Sequence, residues 1–260
     1  MSEILHAEEF GEAGKPVFIC LHGLLGSSRN WRSVARDLSD SLSIRTLDLP
    51  NHGKSPHTDE ISVLSMAEQV LTWLDHSKIE AFSLCGHSLG GKVAMRIACD
   101  HPERVENLTV VDIAPRDYPP EHHIPTLDAL LSLGLDKFTS RKEIDEALTS
   151  EIPNWAFRQF LLTNLEEISD GFRWKPNLVL LRKSIAQLSS NPLEANDRFD
   201  GPTLFVRGGK SGYLRTEHYP QIRTYFPQFQ IEVLPEVGHD VHVEDRPGFL
   251  RIIREFLSLV

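Results

Sequence analysis

Short runs of apolar and β-branched residues recur along the chain, and several are followed by stretches in which apolar residues return every three or four positions. The runs Pro16–Leu21, Ser43–Asp48, Ala81–Cys85, Asn107–Asp112, Pro202–Arg207 and Gln230–Leu234 have the length and density of strands buried on both faces. Helical spacing links Trp31, Val34, Ala35 and Leu38, then Met66, Val70, Leu71 and Leu74, then Val93, Ala94, Ile97 and Ala98, and finally Phe249, Ile252, Ile253 and Phe256. Repeated strand, helix, strand spacing predicts an α/β fold with a mostly parallel central sheet covered by helices. In such sheets functional sites gather beyond the carboxyl ends of the strands.

Between Pro115 and Pro192 the strand signal disappears. Four helix-like stretches replace it, at Thr126–Leu133, Lys142–Thr149, Asn154–Leu165 and Asn177–Leu188, with Asp170-Gly171 as a break. The alternating pattern then resumes, which predicts a core of residues 1–115 and 193–260 with a helical cap, or lid, of residues 116–192 inserted after the strand ending at Asp112.

A 260-residue chain with 40% hydrophobic content can bury a large core, and a formal net charge of −10 at pH 7 argues against binding to nucleic acid or to an anionic membrane surface. Cys20, Cys85 and Cys99 form no Cys-x-x-Cys pair and are odd in number, so no disulfide framework is expected. Met1–Gly14 carries four acidic residues and no apolar core of a secretory signal, and no run reaches the ~18 apolar residues of a membrane span. These features predict a protein of a reducing compartment, the cytoplasm. Neither a metal nor a cofactor is expected; His122-His123 has no third ligand at a recognisable spacing.

Gly86-His87-Ser88-Leu89-Gly90 falls where a strand becomes a helix. A sharp turn there exposes the serine and places the following N–H at a helix amino terminus, where negative charge is stabilised. Serine is a weak nucleophile at neutral pH and needs a base, usually a histidine held by a buried carboxylate. Of the twelve histidines, His239 follows the last strand in a glycine-containing loop at the sheet edge that also carries Ser88. His242 is the nearby alternative, while His22 and His87 are placed to shape loops. The strand ending at Arg207 is followed by no carboxylate through Leu214, whereas Asp112 ends the strand directly after the nucleophile's helix. Asp197 and Asp200 precede a strand, and Asp240 adjoins His239 too closely to orient it. Asp112 is therefore the expected acid.

The chain resembles the α/β-hydrolases nearly end to end: His22-Gly23 after the early strand, Asp48–Ser55 as a variant of Asp-x-x-Gly-His-Gly-x-Ser, and Gly86-His87-Ser88-Leu89-Gly90-Gly91-Lys92. Val111–Pro115 with Tyr118, and Gly208–Tyr213, resemble the YbfF-type esterases more narrowly. That resemblance implies an acid at Asp112, a second serine beside the triad at Ser211, and an oxyanion hole made by the N–H groups of Leu24 and Leu89. It implies hydrolysis of small, short-chain acyl esters, with acyl thioesters as an extension. Asn51 stands where the general hydrolase loop has glycine, and no functional change is expected from it. Carbon–carbon bond hydrolysis, cofactor-free perhydrolysis and a catalytically silent ligand-binding homologue are the competing readings. Arg116, Lys92, Arg207, Lys210 and Arg215 are the cations that could meet a phosphate-bearing acyl-CoA.

Overall fold

The computed structural model describes residues 4–259, so the first three residues of the acidic amino-terminal stretch lie outside it. In chain order the elements are β1 (Ala7–Phe10), β2 (Val17–Leu21), α1 (Arg32–Leu38), β3 (Ser43–Leu47), α2 (Val63–His76), β4 (Phe82–His87), α3 (Leu89–Asp100) and β5 (Val105–Val111). After β5 come α4 (Ile124–Ser132), α5 (Arg141–Ala147), α6 (Trp155–Leu162), β6 (Leu165–Ile168), β7 (Gly171–Trp174) and α7 (Leu178–Ser189). The chain closes with β8 (Thr203–Gly208), α8 (Tyr219–Tyr225), β9 (Phe229–Leu234), α9 (Val241–Glu244) and α10 (Arg246–Phe256).

Seven strands form one sheet in the order β1-β3-β2-β4-β5-β8-β9, parallel throughout except for β1, which runs antiparallel to β3 at one edge. Side chains alternate across it. Phe18 and Cys20 of β2 face a core with Trp31, Val34 and Leu38 of the α1 region and Phe249, Ile252 and Ile253 of α10. Ile19 and Leu21 face the other way, into the core built with α2 and α3. That two-sided burial is why each inner strand reads as an unbroken apolar run. Strand β4 lies in the middle of the sheet, so the loop leaving its carboxyl end is surrounded by the loops of its neighbours.

Two elements differ from the sequence expectation. Strand β1 was not expected: its Ala-Glu-Glu-Phe sequence is short, acidic and only partly buried. Charged residues suit an edge, where they discourage pairing with another chain. The second is the hairpin β6–β7, paired from Leu165↔Trp174 to Ile168↔Gly171, where only helices and a break were expected. Asp170-Gly171 is a hairpin signal rather than a stop, and Gly171 uses the positive φ of 125° open to glycine. Among the described residues no helix is long and apolar enough to cross a membrane.

Asn51 does more than tolerate a glycine position. Its φ of 64° explains why glycine or asparagine suits this turn. Buried completely, it donates from Nδ2 to Thr58 Oγ1 at 2.8 Å and accepts from Thr58 N–H at 3.0 Å. The Asn177 side chain donates to its Oδ1 at 3.3 Å, and the Asn177 N–H to its carbonyl at 3.0 Å. Asn177 in turn caps α7 through Leu180 N–H. The loop after β3 is thereby tied to the start of α7. Asn51→Gly keeps the backbone but deletes the side-chain bonds, and should cost about 2 kcal/mol. A thermal melt should show this as a fall of about 4–8 °C.

Candidate active site

Ser88 joins β4 to α3 at φ 52°, ψ −115°, a conformation that costs a non-glycine residue ~1–3 kcal/mol. Neighbouring packing enforces it. A Cβ at Gly86 would collide with the Gly90 carbonyl, and one at Gly90 would come within 2.6 Å of the His22 carbonyl oxygen. The two glycines therefore let the turn close against β2, and the Ser88 N–H donates to Val111 O at 3.0 Å, binding it to the end of β5. Leu89 is the first residue of α3, so its N–H has no acceptor within the helix.

Asp112 follows β5, also at positive φ (51°), and is fully buried. Its Oδ1 accepts the Gly208 N–H at 3.1 Å. Its Oδ2 accepts His239 Nδ1–H at 2.7 Å and the Ser211 hydroxyl. Because Ser211 Oγ itself accepts the Tyr213 N–H at 3.1 Å, its proton is directed at the carboxylate. Donation by Nδ1 leaves His239 Nε2 without a proton in the neutral ring. The structure thus brings Asp112, Ser211 and His239 together, and His239 and Ser88 border the same groove.

Rings on both sides hold His239. Tyr213 stacks on it at 4.0 Å between centroids, and His87 lies at 4.6 Å on a tilt. His87 Nε2–H donates to the His239 carbonyl at 3.0 Å. Burial first, then repulsion from His239 and His242, pushes the His87 pKa well below its ordinary value, so it braces the loop as a neutral ring. His242 is buried against Trp31 at 4.1 Å, burial lowers its pKa to about 3, and neither of its ring nitrogens has a hydrogen-bond partner. His22 Nε2 accepts the Leu49 N–H at 2.9 Å, so Nδ1 carries the proton donated to Gly23 O at 2.8 Å. That fixes the backbone entering Leu24.

Asp48 completes the support. Burial raises its pKa, but His22 and the N–H groups of Ser28 and Lys54 outweigh it and keep the carboxylate ionised. Those amides donate at 2.6 and 2.8 Å, joining the loop after β2 to the loop after β3. Of the other carboxylates, Asp197 pairs with Arg96 and Asp240 is exposed.

Two cavities meet at Ser88. A groove of about 660 Å³ is bordered by Gly23, Leu24, Asn154, Phe157 and His239. A nook of about 30 Å³ adjoins it, sharing Leu24 and Tyr213 with the groove and bordered also by Leu89, Lys92, Ile113, Tyr118, Ile185 and Leu188. His123 is half-buried and borders both, and burial lowers its pKa to about 4. Among the described residues no cluster of three metal-ligating side chains occurs.

Lys92 and Tyr118 acquire roles that sequence spacing does not reveal. Lys92 is buried, and its Nζ donates to the carbonyls of Leu188 (3.3 Å), Ser189 (2.6 Å) and Ser190 (2.6 Å). Burial lowers its pKa to about 7, with Asp117 working against the fall and Arg116 with it. The Tyr118 hydroxyl accepts the Ala114 N–H at 2.9 Å and donates to Tyr213 O at 2.7 Å, stitching the loop after β5 to the loop after β8. The remaining cations are mostly engaged: Lys210 pairs with Glu236, Arg215 with Glu217, and Arg116 lies over the Tyr118 ring.

A family model described as the alpha/beta hydrolase fold matches residues 16–246. The sn-1-specific diacylglycerol lipase ABHD11 of Mus musculus is 36% identical over 255 residues, covering 95% of this chain and 83% of that protein. Esterase YbfF of Escherichia coli is 30% identical over 240 residues, 92% of each chain. The solved structure of a marine microorganism esterase superposes with a TM-score of 0.94 at 36% identity, covering 98% of this chain and all of that one.

Proposed function

Because the chain belongs to the α/β-hydrolase fold family and is an ester hydrolase, we propose that it cleaves small carboxylic esters through an acyl-enzyme on Ser88. His239 acts as the base and then the acid, and Asp112 orients it. The observation that carries this reading is the 2.7 Å bond from His239 Nδ1 to a fully buried carboxylate, at the rim of the groove that Ser88 borders.

In the first half-reaction the Ser88 hydroxyl gives its proton to His239 Nε2 as Oγ bonds to the acyl carbon. The carbonyl oxygen becomes negative between the N–H groups of Leu24 and Leu89, each donor being worth ~10²–10³ in rate. Collapse breaks the bond to the alcohol oxygen, which takes the proton from His239. Water then repeats the sequence and releases the acid. Throughout, Asp112 faces a ring that becomes cationic, and the Ser211 hydroxyl keeps the shared carboxylate oxygen pointed at it. Residues 116–192 act as a cap that walls the site, and the free cysteines suit a reducing, cytoplasmic setting. Acyl thioesters would follow the same steps.

Reaction with a fluorophosphonate tests the nucleophile directly. Mass spectrometry should place one adduct on the peptide containing Ser88, and pre-incubation with an aryl acetate should slow its formation. A protein that hydrolyses the acetate yet carries no adduct, or carries it elsewhere, would sink the assignment of Ser88.

A further inference from the structure

We propose that the nook behind Ser88 receives the acyl group, and that Lys92 sets its depth by holding the carboxyl end of α7 against the nucleophile's helix. The inference rests on the serine-esterase reading above. The tetrahedral carbon has four substituents: Ser88 Oγ, the oxygen held between Leu24 and Leu89, the leaving oxygen, and the acyl chain. The leaving oxygen must take its proton from His239, and His239 borders the groove but not the nook. The alcohol therefore departs through the groove. The direction left for the acyl chain is the nook.

Its size limits that chain. At about 30 Å³ the nook has room for two or three heavy atoms, on a scale where ~10–15 Å³ holds one water. The groove, at about 660 Å³, places no comparable limit on the alcohol. The far wall of the nook is Ile185, Leu188 and Ser189, all from α7. That wall is fixed at both ends. Asn177 at its start is bound to Asn51, and the carbonyls of Leu188, Ser189 and Ser190 at its finish converge on the Lys92 ammonium. A cation at a helix carboxyl end also meets the negative end of the helix dipole. Lys92 sits on α3 one turn beyond Ser88, so a single helix positions both the reacting hydroxyl and the wall opposite it. Lys92 itself also borders the nook, so it shapes the acyl site directly as well as through α7.

The test is an acyl series from acetyl to octanoyl on one aryl alcohol, measured as kcat and KM for the wild-type protein, Lys92→Met and Leu188→Ala. The wild-type kcat/KM should fall from butyryl to octanoyl by at least about 10-fold, the scale on which a tight pocket rejects excess methylenes. Leu188→Ala deepens the nook and should raise the octanoyl-to-acetyl ratio by roughly 10-fold or more. Lys92→Met releases the wall and should raise the same ratio, while leaving the preference among acetates of small and bulky alcohols unchanged. Each ratio is internal to one preparation, so a loss of folded protein does not move it. Should Lys92→Met fail to fold, Leu188→Ala still decides where the acyl group sits. A wild-type preference for octanoyl over acetyl, or ratios unchanged in the variants, overturns the inference. No hydrolysis of any ester by the wild-type protein would instead overturn the esterase reading.

Discussion

Ser88→Ala is expected to lower kcat toward an aryl acetate by about 10⁶-fold, because the hydroxyl and its base work as a unit and neither retains its effect alone. The substitution removes one oxygen at the mouth of a groove and leaves the Cβ, so the turn between β4 and α3 keeps its shape. Melting temperature should change by only a few degrees, which separates chemical loss from unfolding. Residual turnover should come from oxyanion stabilisation and substrate binding, on the order of 10³–10⁴ over the reaction in water. The measurement is initial rate against protein concentration for the wild type and the variant, alongside a thermal melt. Retention of a large part of the rate by a folded variant would mean that hydrolysis does not pass through Ser88.

The second large effect is expected at Asp112→Asn, on the order of 10⁴ in kcat. Asp112 accepts three donors: the Gly208 N–H, the Ser211 hydroxyl and His239 Nδ1–H. An amide has one oxygen for them. If that oxygen stays beside Gly208, the new NH₂ group opposes both Ser211 and His239, and the imidazole changes tautomer. Nε2 then carries a proton and cannot take one from Ser88. Amide and carboxylate have nearly the same shape, so the packing around the side chain survives while its polarity is reversed. The sign is checked by two readouts together: slow turnover of the acetate and slow fluorophosphonate labelling, with an unchanged melt. A loss of less than tenfold would reduce Asp112 to a strand-end tie between β5 and β8.

The inner strands were legible because burial on both faces leaves no polar alternation to confuse them, as in Val17–Leu21 and Phe82–Cys85. Edge strand β1 was not, since a half-exposed Ala-Glu-Glu-Phe carries almost no apolar signal. The β6–β7 hairpin had a signal, Asp170-Gly171 followed by the short alternation Phe172-Arg173-Trp174, but it lies among helices and reads as a break. In the site, chain position alone pointed to Asp112 and His239, and the structure brings them into contact. Lys92 shows where such reading stops. One lysine on an amphipathic helix looks like solvated surface, and only the fold shows three carbonyls, 96 to 98 positions away, closing around its amine. Asn51 is similar: the sequence shows its departure from glycine, but neither its left-handed backbone nor its bond to Asn177.

The placement of Asp112 after β5 bears on how the proposed constellation is assembled as the chain folds. Ser88, between β4 and α3, and Asp112, at the end of β5, belong to one strand–helix–strand unit, so their separation is fixed by contacts among near neighbours in sequence. Closing such a short loop costs little entropy, and it can occur early. His239 is recruited from 127 positions beyond Asp112, by the docking of β9 and the turn that follows it. On the mechanism proposed above, the chain therefore gains its reactivity only when its carboxyl-terminal part arrives: until then the serine is shaped but has no base to take its proton, and hydrolysis waits on completion of the sheet.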